Sequence, residues 1–261
     1  MDPPWTAAAV VQIAEQHNLL YLTWERRVLP ESDGNDIYKD SDDYLHWVQN
    51  HLHRFVEQRY PYLELDLGRC ILTADSAGVH IGLRWLLNHR SFFTGAYFRS
   101  PLVDIYRRSP GIYMHREVGL EESAAVLCDL LRARAKLRDK IPPAKSRKTP
   151  EGQFVAYSAS VLDVWALLWN SVTARELLRD APRQPRDIPT LIVHGSLDEK
   201  VPLSSAETLA EELRAVVSTD VTLQKLEGAG HCSDYDLGYH SEQLLCLREW
   251  TEKVLGATDE I

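Results

Sequence analysis

The sequence predicts an α/β fold: one mostly parallel sheet with helices on both faces and a helical insertion, built from a chain of 261 residues. Three stretches predict it. Cys70 to His80 runs from an apolar β-like segment through Ala74-Asp75-Ser76-Ala77-Gly78 into a helical pattern carried by Ile81, Leu83, Trp85, Leu86 and Leu87. Ile188 to Pro202 reads as a buried strand, a glycine turn at Gly195 and then an exposed aspartate, Asp198. Val221 to His231 reads as a further strand that runs into a Gly228-Ala229-Gly230 loop presenting a histidine. Strands alternating with helices, each strand ending in a turn of small residues, are the mark of parallel βαβ units.

The elements between these stretches follow from local patterns. Residues 6–17 form a short amphipathic helix that ends at Asn18, and Leu19 to Trp24 reads as a strand from its apolar and aromatic density. Pro30 to Gly34 is turn material. From Asp36 to about Arg59 apolar residues recur at helical spacing, and Pro61 stops the helix. Its acidic start (Asp36, Asp40, Asp42, Asp43) suits the positive end of the helix dipole, a structural role rather than a metal site. A strand over Thr94 to Arg99 leads into Ser100-Pro101. Between about 104 and 187 the alternation lapses. Helices over Glu121–Arg138 and Ala156–Arg179 flank a basic, proline-containing linker, Lys140–Pro150, whose charges read as a solvated face. A helix over about Ser204–Val217 and a closing helix over about Ser241–Leu255 complete the pattern. The domain reading is therefore a core of residues 1–103 and 188–261, interrupted by a helical cap over 104–187.

Composition excludes several functions. With 44% apolar and 26% charged residues, the chain is ordinary for a globular protein. A net charge of −9 argues against nucleic acid as a partner, and no apolar run reaches the ~18 residues of a membrane span. The first residues lack the positive region of a signal peptide, so a cytoplasmic location is expected. Cys70, Cys128, Cys232 and Cys246 lack ligand-like spacing and are expected as free thiols. No cofactor and no metal site is expected, since no His/Cys/Asp cluster has metal spacing.

Ser76, Asp198 and His231 carry the chemistry. A serine on a tight strand-to-helix turn has its hydroxyl raised above the sheet, and the next backbone N–H, that of Ala77, points where an oxyanion can collect. An aspartate after a later strand and a histidine after the next complete a Ser-His-Asp arrangement in the chain order Ser, Asp, His. The 33 residues from Asp198 to His231 fit one helix and one strand. Each residue has a plainer reading alone: a helix N-cap, a turn aspartate, a loop histidine. Their joint order and context argue for the triad. His194 reads as a structural residue at a strand end, and Asp75 as an N-cap or a support beside the nucleophile. The insertion helix, with Val161, Leu162, Val164, Leu167 and Leu168, is apolar around most of its surface, so Trp165 and Trp169 are candidates to line an apolar acyl pocket.

These motifs resemble the α/β-hydrolases, and most of all their hormone-sensitive-lipase-like esterase branch. Ala74-Asp75-Ser76-Ala77-Gly78 is similar to that branch's Gly-Asp-Ser-Ala-Gly, and Glu25 to Glu31 is similar to its Asp-Tyr-Arg-Leu-Ala-Pro-Glu. The resemblance spans nearly the whole chain. It implies a carboxylesterase-like serine hydrolase acting on a small or medium apolar ester, thioester or lactone, with fungal secondary metabolism as a setting. The alternative it leaves is a catalytically weak or inactive binding protein on the same fold. One part departs from the branch. Its His-Gly-Gly-Gly turn, which completes the oxyanion hole, has no counterpart, because Met1 to Trp5 precede the first helix and the first glycine is Gly34. The first strands of the usual sheet are then expected to be missing, with a weak and self-associating protein as the consequence.

Overall fold

The structure is a computed structural model that describes residues 7–29, 32–104, 111–113, 116–137, 158–159, 161–182, 187–217 and 220–256. Its first elements are helices α1 (Ala8–Gln16) and α2 (Gly34–Arg59), strand β1 (Ile71–Asp75), a 3₁₀ turn (Ser76–Gly78) and helix α3 (Val79–Asn88). Strand β2 (Gly95–Arg99), the short strands β3 (Gly111–Tyr113) and β4 (Arg116–Val118), and helix α4 (Leu120–Leu137) follow. Helices α5 (Trp165–Trp169) and α6 (Ala174–Asp180), strand β5 (Thr190–Gly195), helix α7 (Leu203–Val216), strand β6 (Val221–Leu226) and helix α8 (Leu245–Leu255) complete it. The chain divides into two compact units. The first comprises Met1–Leu22, Val56–Asp104 and Ala174–Ile261, the second Thr23–Phe55 and Ile105–Thr173.

In the first unit four strands pair in parallel in the order β1-β2-β5-β6. Side chains alternate between the faces of a strand, and β2 shows the consequence. Tyr97 enters a core with Val10 and Ile13 of α1, Leu191 and Val193 of β5, and Leu247 and Trp250 of α8. Its neighbour Phe98 turns the other way, to lie near Gly82 of α3. Helices therefore cover both faces, and every residue of β2 and β5 is buried. This is the predicted α/β architecture, and it fits the α/β-hydrolase fold. All parallel strands end on one side of the sheet, where the loops after β1, β2, β5 and β6 gather.

Leu19 to Trp24 is not a strand. Leu19 packs against the core, while Leu20 and Tyr21 are 50% and 42% exposed. An apolar run becomes a strand only where a neighbour offers a ladder of hydrogen bonds, and among the described residues β1 is an edge with no strand before it. The predicted start of α2 moves upstream, since Asp33 accepts the Asp36 N–H at 3.0 Å and caps the helix.

The second unit also departs from expectation. The single helix expected over 156–179 is broken: α5 ends at Trp169, followed by a cap at Asn170 whose φ of 45° is left-handed, and α6, which belongs to the first unit, starts at Ala174. The antiparallel pair β3–β4 carries no strong sequence signal and went unforeseen. Arg27 clamps the start of α2, with Nη1 on Asp36 at 2.8 Å and Nη2 on Asp40 at 2.7 Å. Those two aspartates are thus tied to an arginine from the stretch that resembles the esterase motif. The linker over 140–150, the residues 1–5 and Pro30-Glu31 lie outside the described residues.

Candidate active site

Ser76 follows β1 directly and has a φ of 48°. A side chain with a Cβ is strained in this left-handed region, and the strain persists only where the surroundings over-determine it. Two features do so. The carbonyl of Ser76 accepts the Leu102 N–H at 3.2 Å, which ties the turn to the segment after β2. Below the turn, Gly82 of α3 lies so close to Ala74 and Phe98 that a Cβ there would press on both. Helix α3 therefore packs tightly on β1, and the small residues of the motif serve that approach. Ser76 is half-buried and Ala77 exposed.

Asp198 and His231 meet. Nδ1–H of His231 donates to Oδ2 of Asp198 across 2.7 Å, and the carboxylate, which only accepts, fixes that tautomer. The other ring nitrogen, Nε2, is left as a proton acceptor. Contrary to the exposed aspartate expected, the Asp198 side chain is fully buried, because the amides of Lys200 and Val201 both donate to its Oδ1 at 2.8 Å. Burial opposes the charge. The His231 hydrogen bond and these two amides outweigh it, so the carboxyl sits below its usual range.

Close backbone approach makes this pairing possible. A Cβ on Gly195 would overlap the carbonyls of Ala229 and Gly230, so only glycine lets the histidine loop cross the end of β5. The Leu197 N–H donates to the Ala229 carbonyl at 2.9 Å, and the Gly228 N–H donates to Ser196 Oγ at 2.9 Å. The two loops interlock. His194 lies beneath them, buried, with Nε2–H donating to the Val201 carbonyl at 3.0 Å and lying 3.3 Å from Asp198. Burial holds its pKa below the ordinary value, which keeps it neutral and structural.

Cys232 lies beside His231 as a buried thiol. Its thiol is pushed up to about 12 by burial, and the four cysteines are free. Asp75 makes no capping bond. Its carboxylate instead receives Arg99 Nη1 at 3.1 Å and the Tyr235 hydroxyl at 3.0 Å. Trp165 and Trp169 belong to the second unit. There Trp165 packs partly buried against Leu127, Ala159 and Leu168, while Trp169 meets Tyr38 edge-on and donates from Nε1 to the Val172 carbonyl at 3.0 Å. Among the described residues no group of three His, Cys, Asp or Glu side chains could hold a metal ion, and no helix is long and apolar enough to cross a membrane.

Sequence reasoning missed Arg99, Asp234 and Tyr235. Arg99 is 1% exposed at the end of an otherwise apolar strand, and its Nε donates to Asp234 at 2.6 Å. The one signal available was a guanidinium in the buried run Gly95-Ala96-Tyr97-Phe98-Arg99.

No family model matches this chain. It is similar to a probable carboxylesterase, M8, of Phoma sp. (strain ATCC 20986 / MF5453), at 22% identity over 248 residues, which is 90% of this chain and 74% of that protein. Among solved structures it is similar to a monoacylglycerol lipase of Paleococcus ferrophilus, with a TM-score of 0.49 and 15% identity over 93% of this chain and 88% of that one. A thermophilic esterase of Thermogutta terrifontis gives a TM-score of 0.47 and 17% identity over 88% of this chain and 78% of that one.

Proposed function

We propose that the chain is a serine hydrolase of the carboxylesterase type, cleaving a small or medium apolar ester, thioester or lactone with Ser76, His231 and Asp198. The observation that carries this reading is the 2.7 Å bond from His231 to a fully buried Asp198, on the side of the sheet where Ser76 sits in a strained turn. Similarity to the probable carboxylesterase of Phoma sp. supports the same class of reaction.

The steps follow from the roles. His231 Nε2 takes the Ser76 proton as Oγ bonds to the substrate carbonyl carbon, and the carbonyl oxygen becomes an oxyanion facing the Ala77 N–H. Asp198 stabilises the imidazolium without taking a proton itself. Collapse breaks the bond to the leaving alkoxide or thiolate, which receives the proton from His231. Water, deprotonated by the same nitrogen, then releases the acid and restores Ser76. The tautomer imposed by Asp198 is the one this sequence requires.

Membership of the hormone-sensitive-lipase-like branch, a place in fungal secondary metabolism and a cytoplasmic location belong to the same reading. So does self-association, with the apolar stretch Leu19 to Trp24, where Leu20 and Tyr21 are exposed, as the candidate surface. A fluorophosphonate probe tests the core of it. The wild-type chain is expected to label at Ser76 and the Ser76→Ala variant not at all. A wild type that stays unlabelled while binding apolar ligands would instead make the fold a binding protein.

A further inference from the structure

We propose that Arg99, held between Asp75 and Asp234 and covered by Tyr235, is a positioning brace that fixes the His231 loop relative to the Ser76 turn; this rests on the triad reading above. The sheet order creates the need. Ser76 follows β1 and His231 follows β6, the two outer strands of the order β1-β2-β5-β6. Three strand spacings separate them, about 14 Å. The histidine loop must therefore reach back across two strand ends and hold its place there.

Arg99 ends β2, the strand next to β1, and joins both sides. Nη1 donates to Oδ1 of Asp75, the residue before Ser76, at 3.1 Å. Nε donates to Oδ2 of Asp234, three residues after His231, at 2.6 Å. Tyr235 closes the ring: its face lies over the guanidinium, with Cζ 4.3 Å from the ring centroid, and its hydroxyl donates to Oδ2 of Asp75 at 3.0 Å. Tyr97 adds a hydroxyl to Asp234 at 3.2 Å, and the Cys232 N–H donates to Ser100 Oγ at 3.1 Å. Nucleophile turn and histidine loop are thus linked on a path that does not pass through the Ser76–His231–Asp198 set.

Stability alone does not explain this cluster. Arg99 and Asp234 are 1% and 4% exposed, and charges taken so far from water give up hydration that their attraction barely returns. Apolar packing of equal volume in place of buried ion pairs is often neutral for a fold. What the ion cluster adds is direction. Each bond has one geometry, and shifting the loop breaks several charged bonds together. A misplacement of about 1 Å in a reacting group can cost a hundredfold in rate, so a brace here acts on chemistry.

The test compares Arg99→Lys, Asp234→Asn and Tyr235→Phe with wild type and with Leu86→Val, a buried change on α3 outside the cluster. Measured are the fluorophosphonate labelling rate, kcat and KM on a short p-nitrophenyl ester, and the melting temperature. The expected result is a fall in kcat and labelling rate of about tenfold for Tyr235→Phe and up to about a hundredfold for Asp234→Asn, with KM little changed. Arg99→Lys keeps the charge but cannot bridge both carboxylates, so it is expected to lose rate too. Leu86→Val is expected to lower the melting temperature and keep the labelling rate. Brace variants that label at the wild-type rate, or lose rate only in proportion to lost stability as Leu86→Val does, overturn the proposal. Should Asp234→Asn fail to fold, Tyr235→Phe alone decides, since it removes one oxygen and keeps the ring. A wild type that does not label at Ser76 overturns the triad reading itself, a separate outcome.

Discussion

Gly195 lies directly beneath the carbonyl of Ala229, closer than any side chain would allow. This contact, more than the hydrogen bond it enables, brings the loop after β6 down onto the loop after β5. A methyl group at Gly195 would have to displace backbone, because the atoms it meets are carbonyls rather than flexible side-chain ends. Gly195→Ala is therefore expected to move the histidine loop away from Asp198. Melting temperature should fall, and turnover should drop about a hundredfold or more if His231 is the proposed base, since it would be displaced by a good fraction of an ångström. Steady-state kinetics beside a thermal melt checks this. A variant with wild-type turnover would mean that the two loops approach less closely in solution.

Ser76 and His231 are expected to behave as one unit. On the proposed mechanism Ser76→Ala would remove the nucleophile and His231→Ala its base, so each should lower kcat by several orders of magnitude, and the double variant should be little worse than either. Circular dichroism should be unchanged. If Ser76→Ala hydrolyses short p-nitrophenyl esters at the wild-type rate, the nucleophile lies elsewhere.

Asp198→Asn poses a subtler question. The amide is nearly isosteric, but its NH₂ can donate to Nδ1, which would move the imidazole proton to Nε2 and abolish the base. A loss of about 10⁴ in kcat is expected with the fold retained, the magnitude known for this change in a serine protease triad. Linkage gives a second readout. The carboxyl of Asp198 sits below its usual range, so its ionised form stabilises the folded state above the unfolded pKa of about 3.9, and that contribution is lost as pH falls through the folded value. Asp198→Asn should therefore weaken the acid dependence of stability below about pH 4. A denaturant titration at pH 3 and pH 7 would reveal it.

Much of this was legible in the sequence because the signals are local. The strands at 71–75, 190–195 and 221–226 stand out as apolar runs ending in small residues, and the Ser76 turn is marked by Ala74 and Gly78. The meeting of Asp198 and His231 followed from chain order and from a glycine on each side of the approach. What stayed hidden was long-range. Nothing near Arg99 announces Asp234, because the partner lies 135 residues away and reaches it only when β6 folds beside β5. The missing strand at 19–24 failed for the related reason that pairing depends on a neighbour. The break at Asn170 went unseen because apolar residues continue in phase on either side of it.

His80 is the second residue of α3, the helix that follows the Ser76 turn. Its Nδ1 accepts the Ala174 N–H at 2.9 Å, so the ring also satisfies the first amide of α6, which has no partner within its own helix. Accepting requires an unprotonated nitrogen, and burial lowers the pKa of His80 to about 4. The sign follows directly. An unfolded histidine takes up a proton near pH 6.5, while the folded one stays neutral until about pH 4, so acid favours unfolding between those values. The folded state should be most stable above pH 6.5, lose on the order of 3 kcal/mol by pH 4 from this group, and show no further loss from it below. His80→Asn keeps an acceptor oxygen near the place of Nδ1 and carries no titrating group. It should cost some stability at pH 7.5, because the smaller side chain fills less of the site, yet flatten the dependence between pH 7 and pH 4.5. Urea unfolding of wild type and His80→Asn at three pH values measures it. Equal slopes in the two proteins would place the acid sensitivity in another group and leave His80 able to take up a proton where it lies.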